Sequence, residues 1–514
     1  MIDVLFAQEA EKASSILDLA SKLVGSSANS LFSYVVIGML LSCGAFFTMM
    51  TRGMQFRFFP DMVKAIFNSR GGAEGGISGF QAFAIGLSSR VGTGNIVGVA
   101  IAILLGGPGA VFWMWLVALL GMATGLVEAT LAQMYKVRNP KDQTFRGGPA
   151  WYIRDGVGSP KLGGVIAILV IFAFGVAFEM IQANTIAATF EETWNIAPWM
   201  TAVFLVIVCS PLVLGGIRPV ARAAEMIAPA MALLYMLIAL TIVVLNITQV
   251  PNMFALIVGS ALGIGPAAGG VAGGVTAAML NGVKRGLFSN EAGMGSVPNA
   301  AATATVAHPI QQGLIQSFGV FADTILVCSS TAFIILVGGL YTPEASEELV
   351  GATLTQQSVA ANLGGWAIPV MAILIFVFAY SSILGNFTYA EVNADYLGGG
   401  KGSNNLWLRL LVIASVVAGA MIKIDLAWNL GDLAQAMMAT VNLIGLLLLF
   451  RVFQGALRDY ESQRHHVKEN NIHDLAYRGV DNEHMEADLP TDVWTRTDGL
   501  TPIAVHEDDD DRSA

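Results

Sequence analysis

Charge is scarce in this chain. Asp, Glu, Lys and Arg make up only 12% of its 514 residues, against 55% hydrophobic. A soluble protein of that length needs far more charge to cover its surface, so a water-facing globular fold is excluded. Cysteine is scarcer still: Cys43, Cys209 and Cys328 are the full set, each inside an apolar stretch, which argues against a disulfide framework. No basic block exists, so nucleic acid is not an expected partner. Zinc-ligand spacing, a nucleophile elbow and a convergent Ser/His/Asp set are also missing. Gly92-x-Gly94-x-x-x-Gly98 has the wrong spacing for a dinucleotide fingerprint, and no strand precedes it. The expectation is a protein that is no enzyme and carries no cofactor. Met1–Gly25 is mixed and amphipathic, without the basic start and apolar core of a cleavable signal.

What the chain has in abundance is long apolar runs, with a mean hydropathy of +0.64. A spanning helix needs ~20 mostly apolar residues. Eleven such stretches are read: 31–50, 80–104, 110–136, 163–190, 199–216, 224–246, 262–283, 312–340, 367–391, 406–422 and 427–451. Each is too long and too continuously apolar for a barrel strand, so the expected fold is an all-α integral membrane bundle, in contact with lipid throughout. Three regions follow: an amphipathic segment (1–30), the transmembrane domain (31–455) and an acidic tail (456–514). The tail ends in Glu507-Asp508-Asp509-Asp510-Asp511 and is expected to be disordered.

Basic residues give the orientation. They crowd every other connection, as at Arg52, Arg57, Lys64 and Arg70, and again at Lys136, Arg138, Lys141, Arg146, Arg154 and Lys161. The connections 191–198, 247–253 and 341–365 contain none. Basic loops stay in the cytoplasm. The expectation is a multi-pass protein of the plasma membrane, bacterial inner membrane in type, with its N-terminus outside and its tail inside. By the same count Lys284 and Arg285 are cytoplasmic, so 286–308 reads as a cytoplasmic connection.

Two spans carry glycine clusters: Ser88-Ser89-Arg90-Val91-Gly92-Thr93-Gly94-Asn95 and Gly269-Gly270-Val271-Ala272-Gly273-Gly274. Glycine weakens a helix interior, so each cluster marks either unwinding or close helix packing. With the first span set aside, the other ten form two halves of five, and the two clusters open corresponding helices. That is the pattern of an inverted-repeat transporter with its site at the membrane midplane. The second break is placed at 270–274.

Three motifs carry a family resemblance over most of residues 30–455: Gly92-Thr93-Gly94-Asn95-Ile96, Phe145-Arg146-Gly147-Gly148-Pro149, and Arg285-Gly286-Leu287-Phe288-Ser289-Asn290-Glu291-Ala292-Gly293. The chain resembles the alanine or glycine:cation symporter family (sodium:alanine symporters) of the amino acid–polyamine–cation superfamily. The resemblance implies the leucine-transporter fold, an amino-acid substrate and coupling to sodium or protons. It implies substrate contacts at Thr93, Gly94, Gln182, Val271, Gly273, Gly274 and Asn386. It implies a sodium site from the carbonyls of Ser88 and Val91 with the hydroxyls of Ser381 and Ser382. Relatives in this pattern carry an aromatic at Val271 and a Trp at Asn386. Both departures enlarge the pocket and admit glutamine, asparagine or serine.

Ionisable residues inside a membrane are functional hypotheses by default. Arg90 is assigned to a gate and Glu179 to the edge of the pocket. Glu128 either bonds an unwound backbone or pairs with a basic residue. Asp323 either has a gate or proton role or forms a buried pair or a helix–helix hydrogen bond. The function expected is sodium-coupled import of a small neutral amino acid by alternating access. A proton-coupled carrier of the same fold is the main rival, with Glu128 or Asp323 carrying the proton; a channel and a membrane enzyme are the others.

Overall fold

The computed structural model describes residues 19, 21–69, 77–139, 144–264, 274–341, 351–399, 405–422, 424–464, 475–490 and 493–494. The chain there is overwhelmingly α-helical. The principal helices are α1 (Ser21–Met50), α2 (Gly79–Arg90), α3 (Gly94–Gly106), α4 (Gly109–Met134), α5 (Pro160–Trp194), α6 (Pro198–Gly215), α7 (Ile217–Leu245) and α8 (Val250–Ala261). They continue with α9 (Gly274–Asn290), α10 (Val297–Ala301), α11 (Pro309–Val337), α12 (Ala352–Leu363), α13 (Ala367–Leu397), α14 (Leu406–Met421), α15 (Ile424–Leu448) and α16 (Phe450–Arg464). Among the described residues, eight helices are long and apolar enough to cross a membrane, or nine if α2 and α3, bent by 46° at their junction, count as one span.

The helices sort by what surrounds them. Only 28% of the apolar window of α6 or α7 is buried, against 61–67% for α4, α5, α11, α13 and α15. α6 and α7 therefore face lipid. On α7, Leu233, Leu237, Leu240 and Val244 lie exposed along one face, while Met231, Tyr235, Ala239 and Ile242 are buried along another. Both faces are apolar because lipid and helix neighbours are equally apolar solvents. The polar side chains instead collect in the interior, where Asn95, Glu128, Ser289, Asn290 and Asp323 are all buried.

Helix ends follow local chemistry. Ser78 caps α2, its hydroxyl accepting from Gln81 N at 3.1 Å while the Gln81 side chain accepts from Ser78 N. Two tiny sheets clamp one end of the bundle. β1 (Ile77–Ser78) pairs in parallel with β4 (Ala304–Thr305), and β2 (Val137–Arg138) pairs with β3 (Phe145–Arg146). β1 leads into α2 and β4 follows α10, so the first sheet ties together the two regions that carry the breaks.

Three expectations need revision. The span read at 262–283 is not one helix: α8 stops at Ala261, the chain turns at Gly263 (φ +70), and α9 runs from Gly274 to Asn290. Residues 286–301 are buried and largely helical, in α9 and α10, so 286–308 is not an exposed connection. Lys284 and Arg285 misled the charge count because they are not solvated; both lie 2.7 Å from Asp432 Oδ2 on α15. In the region read as a disordered tail, residues 475–490 and 493–494 pack on the bundle, with Tyr477 and Trp494 nearly inaccessible.

Candidate functional site

The first break lies where the glycine pattern puts it. α2 ends at Arg90, Val91 leaves helical geometry (φ −80, ψ +81), and α3 resumes at Gly94. Gly92 N, freed from the helix, bonds Asn95 Oδ1 at 3.0 Å. A second break in the described backbone lies between Asn290 and Val297. Glu291 adopts left-handed geometry (φ +56), followed by Gly293 (φ +86) and Gly295 (φ +83). The break read at 270–274 falls mostly outside the described residues, with Val271 and Gly273, and Gly274 opens α9.

The loosened backbone has identifiable partners. Gly293 N donates to both oxygens of Glu128 on α4 at 3.2 Å. Asn442 on α15 donates to Glu128 Oε2 and to Gly293 O, each at 3.0 Å. Glu128 therefore bonds an unwound backbone, and it forms no ion pair among the described residues. Asn95 Nδ2 reaches Asp323 Oδ1 at 2.6 Å and Ser289 Oγ at 3.0 Å. Asp323 also accepts from Ser289 Oγ at 2.5 Å and Thr324 Oγ1 at 2.8 Å. Three helices widen into π turns nearby, at Gly94–Gly98, Ala173–Ala177 and Phe321–Cys328, a deformation common at working sites.

The residues nominated for sodium meet. Ser382 Oγ donates toward Ser88 O at 2.9 Å, and Ser381 Oγ lies 3.4 Å from the same carbonyl. Both hydroxyls sit on α13, whose Gly385 lets it lie against the Ser89 backbone: a Cβ there would be 2.7 Å from Ser89 N. Val91 is fully buried in the same turn. Carbonyl and hydroxyl oxygens suit a hard cation.

The substrate nominees cluster with them. A Cβ on Gly92 would stand 3.6 Å from Gln182 Oε1, and one on Gly94 would stand 2.8 Å from the Phe288 ring. Thr93 Oγ1, Gln182 Oε1, Asn290 Nδ2 and Asn386 Nδ2 are buried and meet no partner among the described residues. Buried polar atoms are nearly always paired, so a group of uncommitted ones marks a place for a ligand. Phe288 roofs this place with Phe178 and Trp428, at ring separations of 4.7 and 4.8 Å.

Other nominees lie apart. Arg90 is buried against α11, its Nη1 donating to Gln316 O at 3.1 Å over Gly319. Glu179 is fully buried on α5 with neither oxygen partnered among the described residues. Sequence reasoning missed Ser89, Asn95, Ser289, Asn290 and Glu291. The signal was present, since the last three stand inside the longest of the family motifs, but the motif was assigned to a loop.

The model of the sodium:alanine symporter family matches residues 17–474. The probable sodium/glutamine symporter GlnT of Bacillus subtilis is 44% identical over 447 residues, covering 86% of this chain and 91% of that protein. The amino-acid carrier protein AlsT of the same organism is 45% identical over 431 residues, covering 84% and 89%. The sodium/alanine symporter AgcS of Methanococcus maripaludis is 38% identical over 442 residues, covering 84% and 95%. These are transporters, not enzymes, and this chain belongs to the sodium:alanine symporter family.

Proposed function

We propose that this protein is a sodium-coupled symporter that imports small neutral amino acids, alanine and glutamine among them, by alternating access. The observation that carries the reading is one of placement. The Ser88 carbonyl and the Ser381 and Ser382 hydroxyls converge beside Gly92, next to the uncommitted polar atoms of Thr93, Gln182 and Asn386. Sodium takes the Ser88 and Val91 carbonyls with the two hydroxyls. The substrate carboxylate takes amide N–H groups near Thr93 and Gly94. Its ammonium takes carbonyls of the break at 291–296.

In this reading α2 with α3, and α9 with α10, are the first helices of two inverted five-helix repeats, with α1 outside them, eleven spans in all. The N-terminus is outside and the tail cytoplasmic. The similarity to a probable sodium/glutamine symporter supports a pocket at Asn386 that admits glutamine. Uptake of labelled alanine into proteoliposomes, with and without a sodium gradient at fixed pH and with glutamine as competitor, tests the reading. Uptake indifferent to sodium overturns it.

One observation favours a proton-coupled reading. Glu128, Glu291 and Asp323 are all buried near the buried guanidinium of Arg90. Excess buried negative charge demands a cation of some kind. Uptake driven by a pH gradient in sodium-free medium would select the proton.

A further inference from the structure

We infer that the amide bridge between Asn299 on α10 and Asn393 on α13, with Gly148 seated against it, is the gate that closes the pocket toward the sheet-clamped end of the bundle. This deepens the reading just given and rests on it, since a gate has meaning only in a carrier that opens to each side in turn.

The direction of the bridge is fixed by carbonyl groups, which only accept. Asn299 Nδ2 donates to Gly295 O at 3.0 Å and to Ser296 O at 2.7 Å. Asn393 Nδ2 donates to Tyr389 O at 2.9 Å. Those partners tell the two ends of each amide apart. The contact between them is therefore Asn393 Nδ2 donating to Asn299 Oδ1, at 2.8 Å. Both residues are fully buried, and neither amide titrates.

The bridge stands at the end of a polar track. Ser382, Asn386, Tyr389 and Asn393 follow one another on α13 at spacings of four, three and four residues, and so share one face of the helix. Asn386 and Asn393 each keep one buried amide atom without a partner among the described residues. Polar groups along a buried face of a membrane helix mark an ion or substrate path. Asn393 lies eleven residues beyond Ser382, roughly 16 Å along the axis. Asn299 stands opposite, holding two carbonyls at the end of the second break.

The family motif at 145–149 completes the seal. A Cβ on Gly148 (φ +124) would collide with Asn299 Oδ1, and one on Gly147 would stand 2.7 Å from Ala302 Cβ. Arg146 Nε bonds Asp395 Oδ2 at 2.8 Å, which pins the motif to α13 two residues past Asn393. The reading sets sodium and substrate between the second break and α13. Opening this end requires α10 and α13 to part at Asn299 and Asn393. A neutral bridge suits a contact remade in every cycle, because parting it strands no charge.

The test places one cysteine, Ser296→Cys, in a background without Cys43, Cys209 and Cys328. A membrane-impermeant thiol reagent is applied to sealed vesicles of either orientation at fixed sodium. Ser296 is fully buried, and its carbonyl is one of those that Asn299 holds. With the gate intact, labelling from the cytoplasmic face is expected to be slow. Asn393→Ala leaves Asn299 Oδ1 buried without its donor in the closed form, whereas water reaches it in the open form. Labelling from the cytoplasmic face should therefore quicken about tenfold. Labelling from the outer face should not quicken, whereas a general loosening would raise both rates. Asn393→Leu fills the space without a donor and should act as Asn393→Ala does, which keeps the test should the smaller side chain prevent insertion. A cytoplasmic rate unchanged in either variant, or raised equally from both faces, overturns the inference while the sodium-coupled reading stands. Alanine uptake indifferent to sodium in the parent overturns that reading instead.

Discussion

Ser382 Oγ occupies the space of a side chain on Gly92: a Cβ built there would lie 2.0 Å from it. Real Cβ contacts are never that short, so a side chain at 92 and the Ser382 hydroxyl exclude each other. Gly92→Ala is expected to push the hydroxyl off Ser88 O and Ser89 O, which it now reaches at 2.9 and 3.2 Å. The sodium concentration for half-maximal uptake should rise roughly tenfold, the loss of about 1.4 kcal/mol of cation binding. Ser382→Ala should do much the same, and the double variant should cost little more than either, since both remove one contact. A sodium activation curve unmoved by Gly92→Ala would remove Ser382 from the cation site.

The Lys284, Arg285 and Asp432 cluster makes a second prediction. One carboxylate serves two cations, all three with side chains no more than 7% exposed. Asp432→Asn strands both, and removing one partner of a buried pair typically costs about 3–5 kcal/mol. Lys284→Met leaves the Arg285 pair intact and should cost clearly less. Arg285 also lies 4.5 Å over the Trp428 ring, which roofs the site through Phe288. Unfolding temperature in detergent is the measurement. Equal stability of Asp432→Asn and the parent would mean the cluster is solvated after all.

That cluster also shows where the sequence stops being legible. The first break was readable because a glycine cluster has few reasons to stand in an apolar span, whereas the paired serines of α13 and Gln182 came from the family resemblance. The second break was not. Lys and Arg in a run of small residues look like a loop, and nothing local in 284–285 announces a carboxylate almost 150 positions away. Glu291 was hidden by the same error, since a carboxylate in a supposed cytoplasmic loop needs no explanation. The packed part of the tail was hidden by its acidic average. Tyr477, Leu489 and Trp494, the residues that dock it, are too few to change a composition.

Glu128 is expected to matter through Gly293. Its two oxygens hold an amide that the second break has released from helix bonding. Glu128→Ala leaves that amide buried and unpaired, a loss of about 1–3 kcal/mol. Glu128→Gln keeps one acceptor for Gly293 N but turns an N–H2 toward Asn442 or toward Gly293, so it should fall between Ala and the parent. KM for alanine at saturating sodium should follow the same order. Full activity in Glu128→Ala would show that the second break needs no support from α4.

The last prediction concerns pH and the docked tail. His308 stands just ahead of the α11 span, outside the membrane, and is fully buried. Its Nδ1 caps Ile310 N at 3.1 Å, and its Nε2 lies 3.0 Å from Asp459 Oδ2 on α16. Tyr477 of the tail covers it edge-on, with ring centroids 5.0 Å apart. Tyr477 in turn packs on Trp494, whose indole donates to Gln133 O at 2.8 Å at the end of α4. Burial pushes the His308 imidazole below its ordinary value, and Asp459 offsets this only in part. An undocked tail would uncover the ring and let it return toward ~6.5. Protons therefore bind the undocked form more readily, so docking is complete above about pH 6.5 and weakens as pH falls from there toward the lowered value. A cysteine at the buried Leu489, in a background without Cys43, Cys209 and Cys328, reports this directly. Its reaction with a thiol reagent, corrected for the thiolate fraction, should speed up several-fold between about pH 7.5 and 5.5. The rise should vanish in His308→Gln, which keeps an acceptor for the helix cap but cannot titrate in this range. A rate independent of pH in the parent, or the same rise in His308→Gln, would show that His308 does not control the docking.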